Sequence, residues 1–215
     1  MKHFTIDNLK KIENEVHLKQ SKANIIAVSK TFQTDHILPL INYGHVHFGE
    51  NKVQEALNKW ENLKSKYDNI KLHFVGKLQT NKVKHILPIV DYIHSVDNLK
   101  LAKKIFEEQT KKKLRPKIFI QINFDNEIQK SGISEEGLYE FFNVCKNSYD
   151  LNVIGIMCLP PNNGKSAMYF SRMRELKKKY NFHELSMGMS NDYLEAIDCG
   201  SSFLRIGSKI FGPRG

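Results

Sequence analysis

The sequence predicts an α/β chain folded as a single (β/α)8 TIM barrel with an extra N-terminal helix. Eight short apolar runs occur along the 215 residues, and each but the last is followed by a helical pattern. Strict alternation makes the strands parallel, because each helix returns the chain to the same end of the sheet. Eight such units point to a closed barrel. The rival, an open doubly wound sheet, carries a G-x-G-x-x-G after its first strand. That motif is absent after the first run here. No linker or composition break interrupts the alternation, so residues 1–215 read as one domain. The usual barrel has about 250 residues, so the loops must be tight.

The elements follow in order. Ile6, Leu9, Ile12 and Val16 recur at helical spacing before the first strand. This helix could plug the barrel bottom or pack on its side. Ile25 to Val28 is the first strand. Thr34 to Tyr43 is a helix that Thr34 can cap and Gly44 stops. Val46 to Phe48 is a strand, and Asn51 to Tyr67 a long helix. Leu72 to Val75 is a strand and Asn81 to Leu87 a short helix. Val90 to Val96 is a strand, and Asp97 caps the helix Asn98 to Lys112. Pro116 to Asn123 is a β-branched strand, and Ser134 opens a helix ending near Ser148, with Glu135 and Glu136 suited to its positive end. Val153 to Leu159, His183 to Met187 and Phe203 to Ile206 complete the strands. Helices Ser166 to Tyr180 and Asp192 to Cys199 separate them.

Composition excludes several classes. Apolar residues make up 40 % of the chain, too many for disorder. No apolar run approaches the roughly 18–20 residues of a membrane helix, and Met1 to Gln20 has no signal-like apolar core. Three scattered cysteines, Cys145, Cys158 and Cys199, argue against a disulfide framework and for a reducing, cytoplasmic home. The net charge of +10, from 33 Lys and Arg against 23 Asp and Glu, admits a nucleic-acid surface, a Lys-rich solvated surface or a phosphorylated ligand. No aromatic platform for single strands accompanies the lysines.

In a parallel barrel the site lies at the C-terminal ends of the strands. Lys30 follows four apolar residues and emerges from a buried strand into the mouth. Burial disfavours the ammonium and frees the amine as a nucleophile, which suits a Schiff base with an aldehyde or ketone. An ordinary strand-end lysine would snorkel from the same position. After strands 7 and 8, Ser186 to Ser190 (SMGMS) and Gly207-Ser208 supply small residues and hydroxyls where barrel phosphate sites form, although helix caps need the same residues. Arg205, two residues before Gly207, lies on the inward face of its strand if Gly207 also points inward. Amine, phosphate cradle and Arg together suggest pyridoxal 5′-phosphate, with Arg205 facing the pyridine nitrogen and keeping it unprotonated. A neutral ring is a weak electron sink, so carbanion stabilisation would be poor.

Seven stretches resemble the pyridoxal phosphate homeostasis protein family, the single-domain relatives of bacterial alanine racemase. They are AVSKT (27–31), HFGENKVQEA (47–56), HFVGKLQTNK (73–82), QKSGI (129–133), GIMCLP (155–160), LSMGMSNDYLEAI (185–197) and GSSFLRIGSKIFGPR (200–214). The resemblance implies a barrel that binds pyridoxal phosphate through Lys30. It implies phosphate contacts from Ser186, Met187 and Ser190 in their loop and from Gly207 and Ser208, with Arg205 at the pyridine nitrogen and Asn51 beside the cofactor. Lys77 departs from many relatives. The expected role is storing or delivering the vitamer to acceptor enzymes, in vitamin B6 homeostasis; from the residues a monomer without nucleic-acid or membrane partners is expected. Racemases of this kind add a β-domain with a tyrosine base; none follows Ile206 here, so no racemase activity is expected. A small racemase-like enzyme is the alternative.

Other candidates remain open on residues alone. His45, His47 and His73 invite a metal reading, but no carboxylate or Cys is spaced with them, and no metal is expected. Cys158 could be a nucleophile or a small buried hydrophobe. Lys130 could hover over the mouth on a loop and help transfer the cofactor, or be a solvated loop residue. Lys30, Lys77, Lys130, Arg205 and Lys209 are expected near one mouth.

Overall fold

A computed structural model describes residues 3–124, 131–161 and 163–213. The predicted barrel is what forms. The eight strands are β1 (Asn24–Val28), β2 (His47–Glu50), β3 (Lys71–Phe74), β4 (Tyr92–Val96), β5 (Lys117–Ile122), β6 (Asn152–Cys158), β7 (Glu184–Met189) and β8 (Phe203–Ile206). They are parallel, each paired with its neighbours in sequence, and β8 closes on β1 with Ile26 opposite Arg205. Strand bounds differ from the sequence reading by two residues or fewer, because alternation marks a strand's centre better than its ends.

The helices are α1 (Phe4–Leu18), α2 (Thr34–Tyr43), α3 (Val53–Lys66), α4 (Val83–Ile86), α5 (Leu99–Lys112), α6 (Leu138–Asn143), α7 (Ser166–Tyr180), α8 (Tyr193–Asp198) and α9 (Ser208–Phe211). No helical pattern follows the last apolar run, yet the four-residue α9 begins at Ser208, where Gly207-Ser208 suits a helix start. It is too short to fill its place in the outer ring, and α1 fills it instead. The apolar face of α1, Leu9, Ile12 and Val16, is buried, and the helix packs against α9, α2 and α8. Asn8 Nδ2 donates to Ile210 O at 3.1 Å. Of the two expectations for α1, the barrel side holds and the plug does not.

Three caps are corrected. Thr34 is the first residue of α2, and Gln33 occupies the cap position without a side-chain bond. Asn98, not Asp97, caps α5, its Oδ1 accepting from Leu101 N at 2.8 Å. Ser134 closes a turn by accepting from Gly137 N at 3.3 Å, and α6 begins only at Leu138, four residues later than the acidic pair suggested. After Asn143, α6 widens into a π-helical turn over Val144–Ser148. Gly44 stops α2 as expected, at φ +102°.

Two apolar layers result. The larger lies between sheet and helices and contains Phe48, Trp60, Ile93, Ile118, Leu185 and Leu204. The smaller fills the barrel: Ile26, Val28, Tyr92, Phe119, Met157 and Phe203. Inward positions on β1 and β8 then fall on Lys30 and Arg205 as the strands reach the mouth, by the period of two. No helix among the described residues is long and apolar enough to cross a membrane.

Candidate functional site

A cavity of about 770 Å³ opens at the C-terminal ends of the strands, where a barrel places its chemistry. Lys30, Asn51, Ser190, Arg205, Gly207 and Ser208 all line it. Ser186 and Met187 do not. Met187 is fully buried in the outer core, and Ser186 stands beneath Arg205 with its hydroxyl occupied. The expectation that these two face the mouth with Ser190 fails because β7 runs on to Met189, so the loop starts later.

Lys30 is half-buried just past β1. The next residue, Thr31, has φ +70°, a region a β-branched side chain enters at a cost of about 1–3 kcal/mol. A clamp behind the sheet holds this loop. Glu55 on α3 accepts from Thr31 N. Lys59, also on α3, donates to Ser29 O at 2.8 Å and Phe32 O at 3.2 Å. The same ammonium pairs with Glu50 at 2.6 Å and Glu55 at 2.8 Å. Glu50 is fully buried and its Oε1 also accepts from Ser29 Oγ at 2.7 Å and Trp60 Nε1 at 3.1 Å. Burial pushes the Glu50 carboxyl up; Lys59 opposes this. In the Gly49-Glu50-Asn51 stretch, then, Glu50 faces the clamp and Asn51 the cavity. The backbone of Gly76 packs on Asn51, where a Cβ would stand 2.7 Å from Asn51 Cα. Asn51 Oδ1 is buried and without a protein partner.

Arg205 is 5 % exposed on β8. Its Nη1 donates to Ser186 Oγ at 2.6 Å and its Nη2 to Cys158 O at 2.8 Å. Burial draws its affinity for the proton down; a guanidinium stays charged regardless. Cys158 is fully buried and burial pushes its thiol up to about 12, which removes it as a nucleophile and leaves the small hydrophobe. Gly188, at φ +90°, turns β7 toward Ser190, whose Oγ accepts from Lys209 N at 3.4 Å.

Of the expected cationic mouth, Lys30, Lys77 and Arg205 line the cavity. Lys209 instead lies 4.7 Å over the Tyr193 ring. Lys130 lies outside the described residues. The sequence reading missed Gln121, Asp192 and Glu195, which also line the cavity. Gln121 was findable as an inward position on a predicted strand. The two carboxylates sit in a loop and a helix start, where no period marks direction.

The histidines are placed differently from the metal reading. His45 lies before β2, its Nε2 2.9 Å from His47 O. His47 and His73 hydrogen-bond each other at 2.9 Å, and His73 continues to His94 at 2.9 Å. His94, unnoticed in the sequence, reaches Ser186 Oγ at 2.8 Å. Among the described residues no cluster of His, Cys, Asp and Glu is arranged to hold a metal ion.

Residues 5–215 match the alanine racemase N-terminal domain family. A protein of Aquifex aeolicus named pyridoxal phosphate homeostasis protein is 37 % identical, over 89 % of this chain and 87 % of its own. One of the same name from Vibrio alginolyticus is 33 % identical over 96 % of both chains. The chain belongs to the pyridoxal phosphate homeostasis protein family. The structure of PipY from Synechococcus elongatus with PLP bound superposes with a TM-score of 0.86, at 27 % identity, over 97 % of this chain and 100 % of that one. PipY without PLP gives 0.88 at 28 % identity, over 98 % and 100 %. Alanine racemase of Clostridium difficile shares the fold, with a TM-score of 0.76 at 14 % identity; this chain covers 56 % of it.

Proposed function

We propose that the chain binds pyridoxal 5′-phosphate in the mouth cavity, covalently, as a Schiff base on Lys30, and stores or delivers it in vitamin B6 homeostasis. The observation that carries this reading is the pairing of a half-buried Lys30 with a buried Arg205 across one cavity. The residues fit the group. Asn51 Oδ1 is a buried acceptor with no protein partner. Ser190, Gly207 and Ser208 gather at the ends of β7 and β8, where a phosphate suits the fold. The PLP-bound relative supports the assignment.

When bound, the cofactor supplies an aldehyde carbon and a pyridine ring. Lys30 would hold the aldehyde through its Nζ, the amine facing the cavity. The Glu50–Lys59 clamp keeps the Lys30 loop in its strained turn. Arg205, held by Ser186 and the Cys158 carbonyl, would offer its remaining N–H groups to the ring nitrogen. A donor cation there opposes protonation of that nitrogen, which weakens electron withdrawal and favours holding over turnover. Ser190 and Ser208 hydroxyls offer donors to the phosphate. The monomeric state, the cytoplasmic location and the acceptor enzymes belong to the same proposal.

Titration with pyridoxal phosphate, followed by absorption and by borohydride reduction with peptide mapping, tests it. A visible-to-near-ultraviolet band and a label on Lys30, both lost in Lys30→Ala, are expected. A wild-type protein that stays colourless overturns the reading. The racemase-like alternative draws on Asp192 and Glu195, carboxylates in the same cavity. Exchange of an amino acid's α-proton in deuterated water by the loaded protein would favour it.

A further inference from the structure

We propose that His94, His73 and His47 are positioning residues for Arg205: with Ser186 they form a neutral hydrogen-bond chain of one fixed polarity that holds and solvates the guanidinium from inside the barrel. The inference deepens the cavity reading, because it rests on Arg205 being the cation that meets the ligand ring.

The chain crosses the barrel interior. From Arg205 Nη1 it runs to Ser186 Oγ at 2.6 Å, then to His94 Nδ1 at 2.8 Å. His94 Nε2 meets His73 Nδ1 at 2.9 Å, and His73 Nε2 meets His47 Nδ1 at 2.9 Å. Ser186, His73 and His94 are all fully buried. Tyr92 stacks on His73 with centroids 4.1 Å apart, and Phe119 on His94 at 4.4 Å. The rings therefore have little freedom to turn.

Polarity follows from donor counting. Arg205 can only donate, so Ser186 Oγ accepts from it. The buried hydroxyl hydrogen needs an acceptor, and His94 Nδ1 is the one in reach. His94 then carries its proton on Nε2 and donates to His73 Nδ1. By the same step His73 donates from Nε2 to His47 Nδ1, and His47 keeps its proton on Nε2. The reversed chain leaves the Ser186 hydroxyl hydrogen unpaired. It also turns three N–H dipoles toward a buried cation. In the forward chain every ring presents its negative nitrogen toward Arg205, and hydrogen bonds in series strengthen one another.

Neutral rings are required, and the surroundings keep them so. Burial, and then the charge of Arg205, holds His94 well below the usual histidine range. Burial, then the neighbouring rings, does the same for His73. His47, at the barrel bottom among Lys71, Asp91 and Lys117, is lowered mainly by burial. Among the described residues no carboxylate forms an ion pair with Arg205. Such a partner would cancel the charge facing the cavity; aligned dipoles stabilise the cation and leave that charge available.

Two measurements test the chain. Long-range proton–nitrogen correlation spectra of the ligand-free, nitrogen-15-labelled protein at pH 7 report the tautomer of each ring. Nε2–H forms at His47, His73 and His94 are expected. A Nδ1–H form at any of the three, or a charged His94, overturns the proposal. Second, the affinities of Ser186→Ala for pyridoxal and for inorganic phosphate separate ring from phosphate contacts. Pyridoxal affinity should fall about tenfold, the size of one charge-assisted hydrogen bond, with phosphate affinity unchanged. Equal losses for both probes, or none, would mean that Ser186 does not act through Arg205. If the wild type takes up no pyridoxal, the cavity reading fails, and the tautomers alone decide the chain.

Discussion

The cavity's two inner basic residues, Lys30 just past β1 and Arg205 on the neighbouring β8, are held by opposite means. The Lys30 loop is fixed by full charges, Lys59 with Glu50 and Glu55, in the layer between sheet and α3. Arg205 is fixed by neutral groups, Ser186, the Cys158 carbonyl and the histidine chain, inside the barrel. The difference follows from what each layer has at hand. A helix can lend an ammonium to a carboxylate on a strand, so Glu50 is paired within the outer layer through its Oε1, while its Oε2 is buried without a partner. Inside the barrel a carboxylate would neutralise the one charge the site needs. Dipoles stabilise it without cancelling it.

Lys59→Met should break the charged side. It strands Glu50 in the core, and loss of one partner of a buried pair costs about 3–5 kcal/mol. Urea unfolding reads the loss, and adding Glu50→Gln should restore part of it. If Lys59→Met costs nothing, the clamp contributes no stability.

Acid should set the two regions against each other. The buried histidines are neutral in the folded chain, so below the unfolded pKa the unfolded chain takes up protons that the folded one refuses. For His45, which adjoins the chain at the His47 carbonyl and is lowered by burial from 6.5 to about 4, stability is lost as pH falls between those values. The loss reaches about 3 kcal/mol when complete. Glu50 runs the other way: its folded pKa is raised, so the folded chain takes up its proton first and gains stability as pH falls. Unfolding free energy against pH should therefore decline on acidification, and decline less in Lys59→Met. A flat profile would show that the histidines titrate normally.

Ser29→Ala is the mildest probe. It removes one of the bonds on Glu50 Oε1 and should cost about 1 kcal/mol. The Arg205 side should be untouched, so the histidine tautomers stay as in the wild type. A tautomer change would show that the two regions are coupled.

Much of this was legible in the sequence. The positions of Lys30, Arg205, Gly207 and Ser208 follow from counting to the end of an apolar run, because side-chain direction in a strand has a period of two. Ser186 was read too close to the mouth because β7 extends two residues further, to Met189. The irregularity that lengthens it is a register shift between β7 and β8, which leaves no pattern in the residues of either strand. His47 and His73 drew notice as possible ligands, yet His94 was passed over within its strand.

The sequence by itself determined the barrel, its order of elements and the strand ends that make the cavity. These depend on local periodicity and on the geometry of βα units, which neighbouring residues settle. Only the tertiary structure decided what stands behind the cavity. The clamp joins β2 to α3 and the loop after β1. The histidine chain joins β2, β3, β4 and β7, with Arg205 on β8. Closure of β8 on β1 brings these strands around one interior, and a hydrogen bond between residues 92 positions apart, such as His94 to Ser186, has no local signature.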